Sequence, residues 1–301
     1  MSNALVGIGP TPVEVPSVVH DLADRLRSGA TVVPVWRNEY GGLTVRLETE
    51  SGSRRSYLKW VPDGAPCPDP LAEADRLVWA ASFTRVPRVQ DAGRDVQGSW
   101  LLTAAVEVGG EIASSAIEPR WHGRAERSAI AIGTGLRRFH DALPTDTCPF
   151  VRTAETRVAA LTAALGTAER ATTAAALGTP PPVDRAVVCH GDATVPNTLL
   201  DQAGRFVAHV DVGDLGVADR WSDIAVTTRS VTRRYGPGLE PLVLTAYGVA
   251  PDRERTAYYR ALWDAEESVR VRQGVSGVGG ARSAARSAAR SAALGQRRRA
   301  S

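Results

Sequence analysis

Apolar residues in this 301-residue chain recur every third or fourth position in some stretches and on alternate positions in others. Over 13–28, Val18, Leu22 and Leu26 fall on one stripe, which predicts a short helix stopped by Gly29. Three strand-like runs follow: 31–36 (TVVPVW), 43–49 (LTVRLET) and 55–61 (RSYLKWV). Turn-forming residues join them at 38–42, including Gly41 and Gly42, and at 50–53. Pro70 to Ala81 has helical spacing with proline at its first position, and Val86–Gln90 and Trp100–Thr103 predict two further strands. Residues 1–105 thus read as a small sheet plus a helix.

The pattern changes after that point. Residues 124–142 and 153–176 are rich in Ala and Leu at helical spacing, and the second run ends at the breaker 178–182 (GTPPP). Short apolar runs at Ala186–Cys189 and Phe206–Val210 flank a polar loop, and helical patterns return at 220–233, 238–246 and 252–265. A β-rich part followed by an α-rich part predicts an α+β protein with a cleft between two lobes, 1–105 and 106–267. The remainder, 268–301, has three Arg-Ser-Ala-Ala copies over 282–293 and almost no large apolar side chain, which predicts a disordered basic tail.

Charge sharpens this division. The net charge is +3, yet no acidic residue follows Glu267 while eight arginines do, so residues 1–267 carry 28 basic against 33 acidic residues, a net −5. Nucleic-acid binding could rest only on the tail, because no basic patch is visible in the body. The hydrophobic fraction of 43% excludes a wholly disordered chain. Three scattered cysteines make neither a metal spacing nor a disulfide framework, no apolar run reaches membrane-spanning length, and the start has no secretory pattern. A cytoplasmic protein without membrane contact is expected. Lys59 is the one lysine among 36 basic residues. The other 35, all Arg, match a GC-rich coding bias, under which a surviving lysine can be one whose chemistry Arg cannot supply.

Candidate chemistry concentrates in 187–223. His190-Gly191-Asp192 precedes Asn197 by a few residues, and Asp211-Val212-Gly213 lies fourteen residues beyond Asn197. An Asp five residues before an Asn, followed by an Asp-x-Gly, is the arrangement of kinase catalytic loops. There the first Asp orients or accepts the proton of an attacking hydroxyl, while Asn197 and Asp211 offer hard oxygen donors suited to Mg2+. His140, His190 and His209 are expected to be packed structural residues. In the first lobe Lys59 sits on the third predicted strand and Glu73 on the following helix, where the pair could meet nucleotide phosphates. The turn at Gly41 and Gly42 could cover ATP, and Trp100–Ala105, with Thr103 and Ala105, could form a hinge bonding adenine through its backbone.

The segments HGDATVPN, DVGDLGVADRWSDIA, LAEADRLVWA and ERTAYYRALWD resemble the aminoglycoside 3′-phosphotransferase family, over about 30–266. The resemblance implies a protein-kinase-like two-lobed fold and ATP-dependent phosphorylation of an aminoglycoside hydroxyl, giving antibiotic resistance. It implies that Asp192 is the base, that Asn197 and Asp211 hold Mg2+, and that Lys59 and Glu73 serve the phosphates. Asp219, Arg220 and Asp223 would buttress the catalytic segment, and Asp264 and Glu266 would reach the substrate.

Departures from the family pattern are visible. Asp214 stands where the family usually has Arg, Arg233 and Arg234 occupy a turn that is usually acidic, and acids after 150 are few: Glu155, Glu169 and Asp184. These departures motivate two alternatives, a kinase of another small hydroxyl-bearing substrate and a non-catalytic nucleotide-binding pseudokinase.

Overall fold

Alternation over Arg55–Pro62 decides how the first lobe is built. Ser56, Leu58 and Trp60 are buried on one side, and Tyr57 and Lys59 alternate to the other. The computed structural model describes residues 13–38, 41–49, 55–270 and 272. It begins with α1 (Ser17–Leu26), followed by an antiparallel sheet of β1 (Thr31–Arg37), β2 (Leu43–Glu48) and β3 (Arg55–Pro62). After α2 (Pro70–Ala80), β4 (Val89–Asp95) and β5 (Gly98–Ala104) complete the sheet in the order β1-β2-β3-β5-β4. Val19 and Leu22 of α1 pack on one face against Val45 and Leu58, while Ala74 and Leu77 of α2 cover the other face against Leu101. The Asp69 carboxylate caps α2 by accepting the Leu71 N–H at 3.1 Å, and Pro70 needs no such partner.

One strand lies further along than the apolar run at Val86–Gln90 predicted. Pro87 has no N–H for the ladder, so pairing starts at Val89 and continues through the polar residues to the tight turn before Gly98.

The second lobe opens with three two-residue strands, β6 (Glu107–Val108), β7 (Glu111–Ile112) and β8 (Ser114–Ser115). Then come α3 (Ala125–Ala142), α4 (Ala154–Ala163), α5 (Thr167–Leu177) and β9 (Ala186–Cys189). The chain continues through β10 (Thr198–Leu200), β11 (Phe206–His209), β12 (Gly216–Asp219), α6 (Trp221–Tyr235), α7 (Glu240–Tyr247) and α8, spanning 253–270. The single helix expected over 153–176 is two, because Gly166 breaks the run and becomes the N-cap residue of α5. The α8 stripe Tyr258, Leu262, Ala265 and Val269 extends past 265 and keeps Val269 buried. The boundary expected at 267 is therefore corrected: 268–270 are helical, and the rest of the expected disordered tail, Arg272 apart, lies outside the described residues. Among the described residues, no helix is long and apolar enough to cross a membrane.

Helix α3 forms the spine of this lobe. At Gly133 an added Cβ would lie 2.4 Å from the Val243 carbonyl oxygen, and at Gly135 it would lie 2.2 Å from the Phe206 ring. Both glycines let neighbours approach the α3 backbone, α7 on one side and β11 on the other. Farther along, His140 donates or accepts through Nδ1 with the Tyr247 hydroxyl at 2.8 Å, and its Nε2 meets Asp223 Oδ2 on α6 at 2.9 Å. Asp223 is fully buried and also accepts the backbone N–H of His190 (2.6 Å) and Gly191 (2.9 Å). Burial opposes its charge, but His140, together with the His190 ring and backbone N–H, outweighs burial and brings its pKa down to about 2.

Two outcomes follow from this packing. Gly133→Ala, which raises intrinsic helix propensity, is expected to lower thermal stability, because overpacking costs about 1–3 kcal/mol against ~1 kcal/mol of propensity. An unchanged or raised midpoint in a thermal melt would show that α7 shifts freely. Asp223→Ala breaks a buried pair and is expected to cost about 3–5 kcal/mol in denaturant unfolding. For the parent, the Asp223 contribution is fully present above its unfolded pKa of about 4 and is lost as pH falls toward about 2, so acid unfolding is expected to become much less steep in the variant.

Candidate active site

The loop between β9 and β10 is buried, and its backbone groups need partners within the protein. Asp223 takes two of its amides, Thr227 Oγ1 donates to the Ala193 carbonyl at 2.6 Å, and the Val195 N–H donates to Ser230 Oγ at 3.0 Å. One face of α6 thus fixes the loop. The His190 ring adds a local clamp, donating Nε2–H to the Val210 carbonyl at 2.8 Å and accepting the Asp192 N–H on Nδ1 at 3.2 Å. His209 is buried among Phe139, His190 and Phe206, and burial brings its pKa down to about 3, so it stays neutral.

Within this frame Asn197 donates its side-chain amide to both the Asp192 carbonyl oxygen (2.9 Å) and Asp192 Oδ2 (3.0 Å). Asp192 Oδ1 is buried and accepts no hydrogen bond. Burial pushes the Asp192 carboxyl up to about 6, with Asp214 and Asp211 adding to it and Arg270 pulling against it. A buried carboxylate with one oxygen anchored and the other unpartnered is poised to accept a proton.

Asp211 follows β11 and, among described residues, is the one non-glycine with positive φ, at 60°. That conformation costs roughly 1–2 kcal/mol and brings its carboxylate to the first lobe. Lys59 Nζ lies 2.7 Å from Asp211 Oδ1 and 2.5 Å from Glu73 Oε2, joining β3, α2 and the second lobe. Partial burial of the ammonium works against its charge, but the two carboxylates outweigh it and raise its pKa. Gly191, with φ 88°, is required for a different reason: a Cβ there would lie 2.3 Å from the Asp214 carbonyl oxygen. The loop carrying Asp192 and the loop carrying Asp211 therefore touch backbone to backbone.

A magnesium ion, where bound, would meet hard oxygens. The Asn197 nitrogen is committed to Asp192, which leaves its amide oxygen as donor, and Asp211 keeps Oδ2 beyond its lysine contact. This donor set fits such a cation.

The other expected residues are placed less uniformly. Gly41 and Gly42 close the β1–β2 turn, where Gly42 N–H donates to Asn38 Oδ1 at 2.7 Å. Thr103 is buried on β5 opposite Tyr57. Ala105 donates its N–H to the Arg55 carbonyl at 2.9 Å, so it cannot present that group to an adenine, and the next amide belongs to Val106. Asp264 pairs with Arg229 at 2.6 Å, and Glu266 is gripped by Arg157 through two bonds of 2.9 and 2.7 Å. Asp219 caps α6 through the Trp221 N–H, and Arg220 binds Asp184 at 2.6 Å.

Sequence reading did not single out Arg152, Arg157 and Arg270. Arg152 and Arg270 lie 3.4 and 3.3 Å from Asp214 Oδ2, and, despite burial, hold that carboxyl below the usual range. The i,i+4 spacing of Glu266 and Arg270 was the available signal for the last of them; nothing in the sequence marks the other two.

Comparison with known proteins agrees with this geometry. An aminoglycoside 3′-phosphotransferase of Streptomyces fradiae is 32% identical over 216 residues, covering 64% of this chain and 78% of that protein. One from Escherichia coli is 28% identical over 246 residues, covering 74% and 85%. The crystal structure of an aminoglycoside 3′-phosphotransferase of type VIII superposes with a TM-score of 0.69 at 30% identity, over 83% of this chain and 98% of the other. The model of the phosphotransferase enzyme family matches residues 33–259. With that match spanning both lobes and the whole loop from His190 to Asn197, the chain belongs to the phosphotransferase enzyme family.

Proposed function

We propose that this protein transfers the γ-phosphoryl group of ATP to a sugar hydroxyl, the 3′ position, of an aminoglycoside in the cytoplasm, and so confers resistance. The observation that carries the reading is Asp192, whose Oδ1 is buried and unpartnered while Oδ2 is held by Asn197. The names of the relatives supply the substrate class, and a Streptomyces rimosus aminoglycoside phosphotransferase, 25% identical with a TM-score of 0.60, is known in complex with ADP and streptomycin. Three free cysteines fit a reducing compartment.

In this reading the acceptor hydroxyl hydrogen-bonds to Asp192 Oδ1, its oxygen attacks the γ-phosphorus, the bond to the bridging oxygen of ADP breaks, and the proton passes to Asp192. Lys59, oriented by Glu73, presents its ammonium to the phosphates in exchange for Asp211. Magnesium held by Asn197 and Asp211 would neutralise phosphate charge. The Val106 N–H, without a partner among the described residues, is the backbone donor left to the adenine.

Purified protein is expected to release ADP in the presence of kanamycin, neomycin or ribostamycin, and Asp192→Asn to lose roughly 10²–10⁴-fold in kcat with ATP binding retained. Equal turnover by both proteins in a coupled ADP assay would refute the assignment. Because Asp192 must be ionised, kcat/KM is expected to fall on the acid side with a midpoint at about 6. A rate that stays flat down to pH 4.5 would show that a different group, or none, takes the proton.

A further inference from the structure

Between α4 and α8 lies a cleft of about 320 Å³ whose polar lining is Arg152, Thr156, Arg157, Glu266 and Arg270, with Asp214 behind Arg152 and Arg270. Both carboxylates in contact with these arginines are already engaged. Glu266 is bound bidentately by Arg157, which Ser222 holds in turn at 2.6 Å, and Arg152 adds a contact at 3.8 Å. Asp214 is different, since Arg152 and Arg270 both approach its Oδ2 and its Oδ1 accepts no hydrogen bond among the described residues. The two arginines are also unlike each other. Arg152 is largely buried, whereas Arg270 is half-exposed in the last turn of α8, and Asp214 at 3.3 Å is its hydrogen-bond partner. The charge of Arg270 also acts on Glu266 and on Asp192. It therefore sits among acids that would attract a cationic ligand, in a position from which it can be displaced.

We propose that Arg270 is a specificity-determining residue that competes from within the chain for Asp214, the carboxylate on which a substrate ammonium group binds, and so disfavours amine-rich acceptors. The proposal rests on the aminoglycoside reading above and adds which acid receives an amine and which residue opposes it. An arriving ammonium must replace a guanidinium rather than meet a bare carboxylate. Acceptors that bring no amino group to Asp214 escape that competition. Removing Arg270 leaves Asp214 partnered by Arg152 alone, with one oxygen open.

Calorimetric titration of neomycin into the parent protein, Arg270→Ala, Arg270→Lys and the double variant Arg270→Ala/Asp214→Asn tests this. Arg270→Ala is expected to bind about two- to fivefold more tightly, the size of one partly exposed ion pair. Arg270→Lys keeps a cation at the site and is expected to match the parent, and the double variant to lose the gain. Equal or weaker binding by Arg270→Ala, a gain that survives in the double variant, or no binding to any of the four overturns the proposal. Phosphorylation measured on the same samples separates the two readings: turnover without tighter binding refutes this subsite alone, and tighter binding without turnover refutes the proposed function alone.

Discussion

Three donors converge on the Asp223 carboxylate, and the position of the loop from His190 to Asn197 depends on them. A buried loop has no ladder or helix to receive its amides, and each orphaned N–H would cost on the order of 1–3 kcal/mol. A single carboxylate on α6 removes that cost at His190 and Gly191 together, and His140 from α3 makes its charge tolerable in a fully buried position. The same helix then supplies Thr227 and Ser230 to the next turn of the loop. Asp192 is thus held from below by helical side chains, and none of those side chains is needed to touch a substrate.

Much of this was legible in the sequence, and what was not has identifiable physical causes. The strands carrying Lys59, the helix carrying Glu73 and the loop from His190 to Asn197 were readable because alternation, proline placement and fixed spacing are local signals. The division of 153–176 into two helices turned on one glycine in an otherwise uniform Ala/Leu run. The short strands β10 and β12, of three and four residues, carry too few positions to show a period. Asp264 and Glu266 were readable as acids near the end of the fold, but their arginine partners come from α6, α4 and the approach to α4, which no local pattern connects. Long-range ion pairing of this kind is set by tertiary placement alone.

Charge shows the same lesson. The acidic body and the basic end looked like separate regions, yet Arg270 and Arg272 fold back onto Asp214 and Glu169. Asp214 stands where the family usually has Arg, which by residue type alone is a reversal of charge. In the structure two guanidiniums flank it, so the local field is closer to balanced than the residue type implies. Lys59 is the converse case, a single compact ammonium that two carboxylates from different lobes share, within a space a guanidinium fork would not fit in the same way.

Helix α5 contains no buried residue, although the helix before it lines the cleft beside Glu266 and Arg270. It is joined to the rest through its neighbour α4, through Leu177 against the core and through the exposed Glu169–Arg272 pair. Its sequence is consequently under little folding constraint, while its location directly follows the helix that lines the cleft. A segment with that combination can be lengthened, shortened or exchanged during descent at little thermodynamic risk. The fold in this way separates the part that must stay constant for phosphoryl transfer from a part in which acceptor preference can drift.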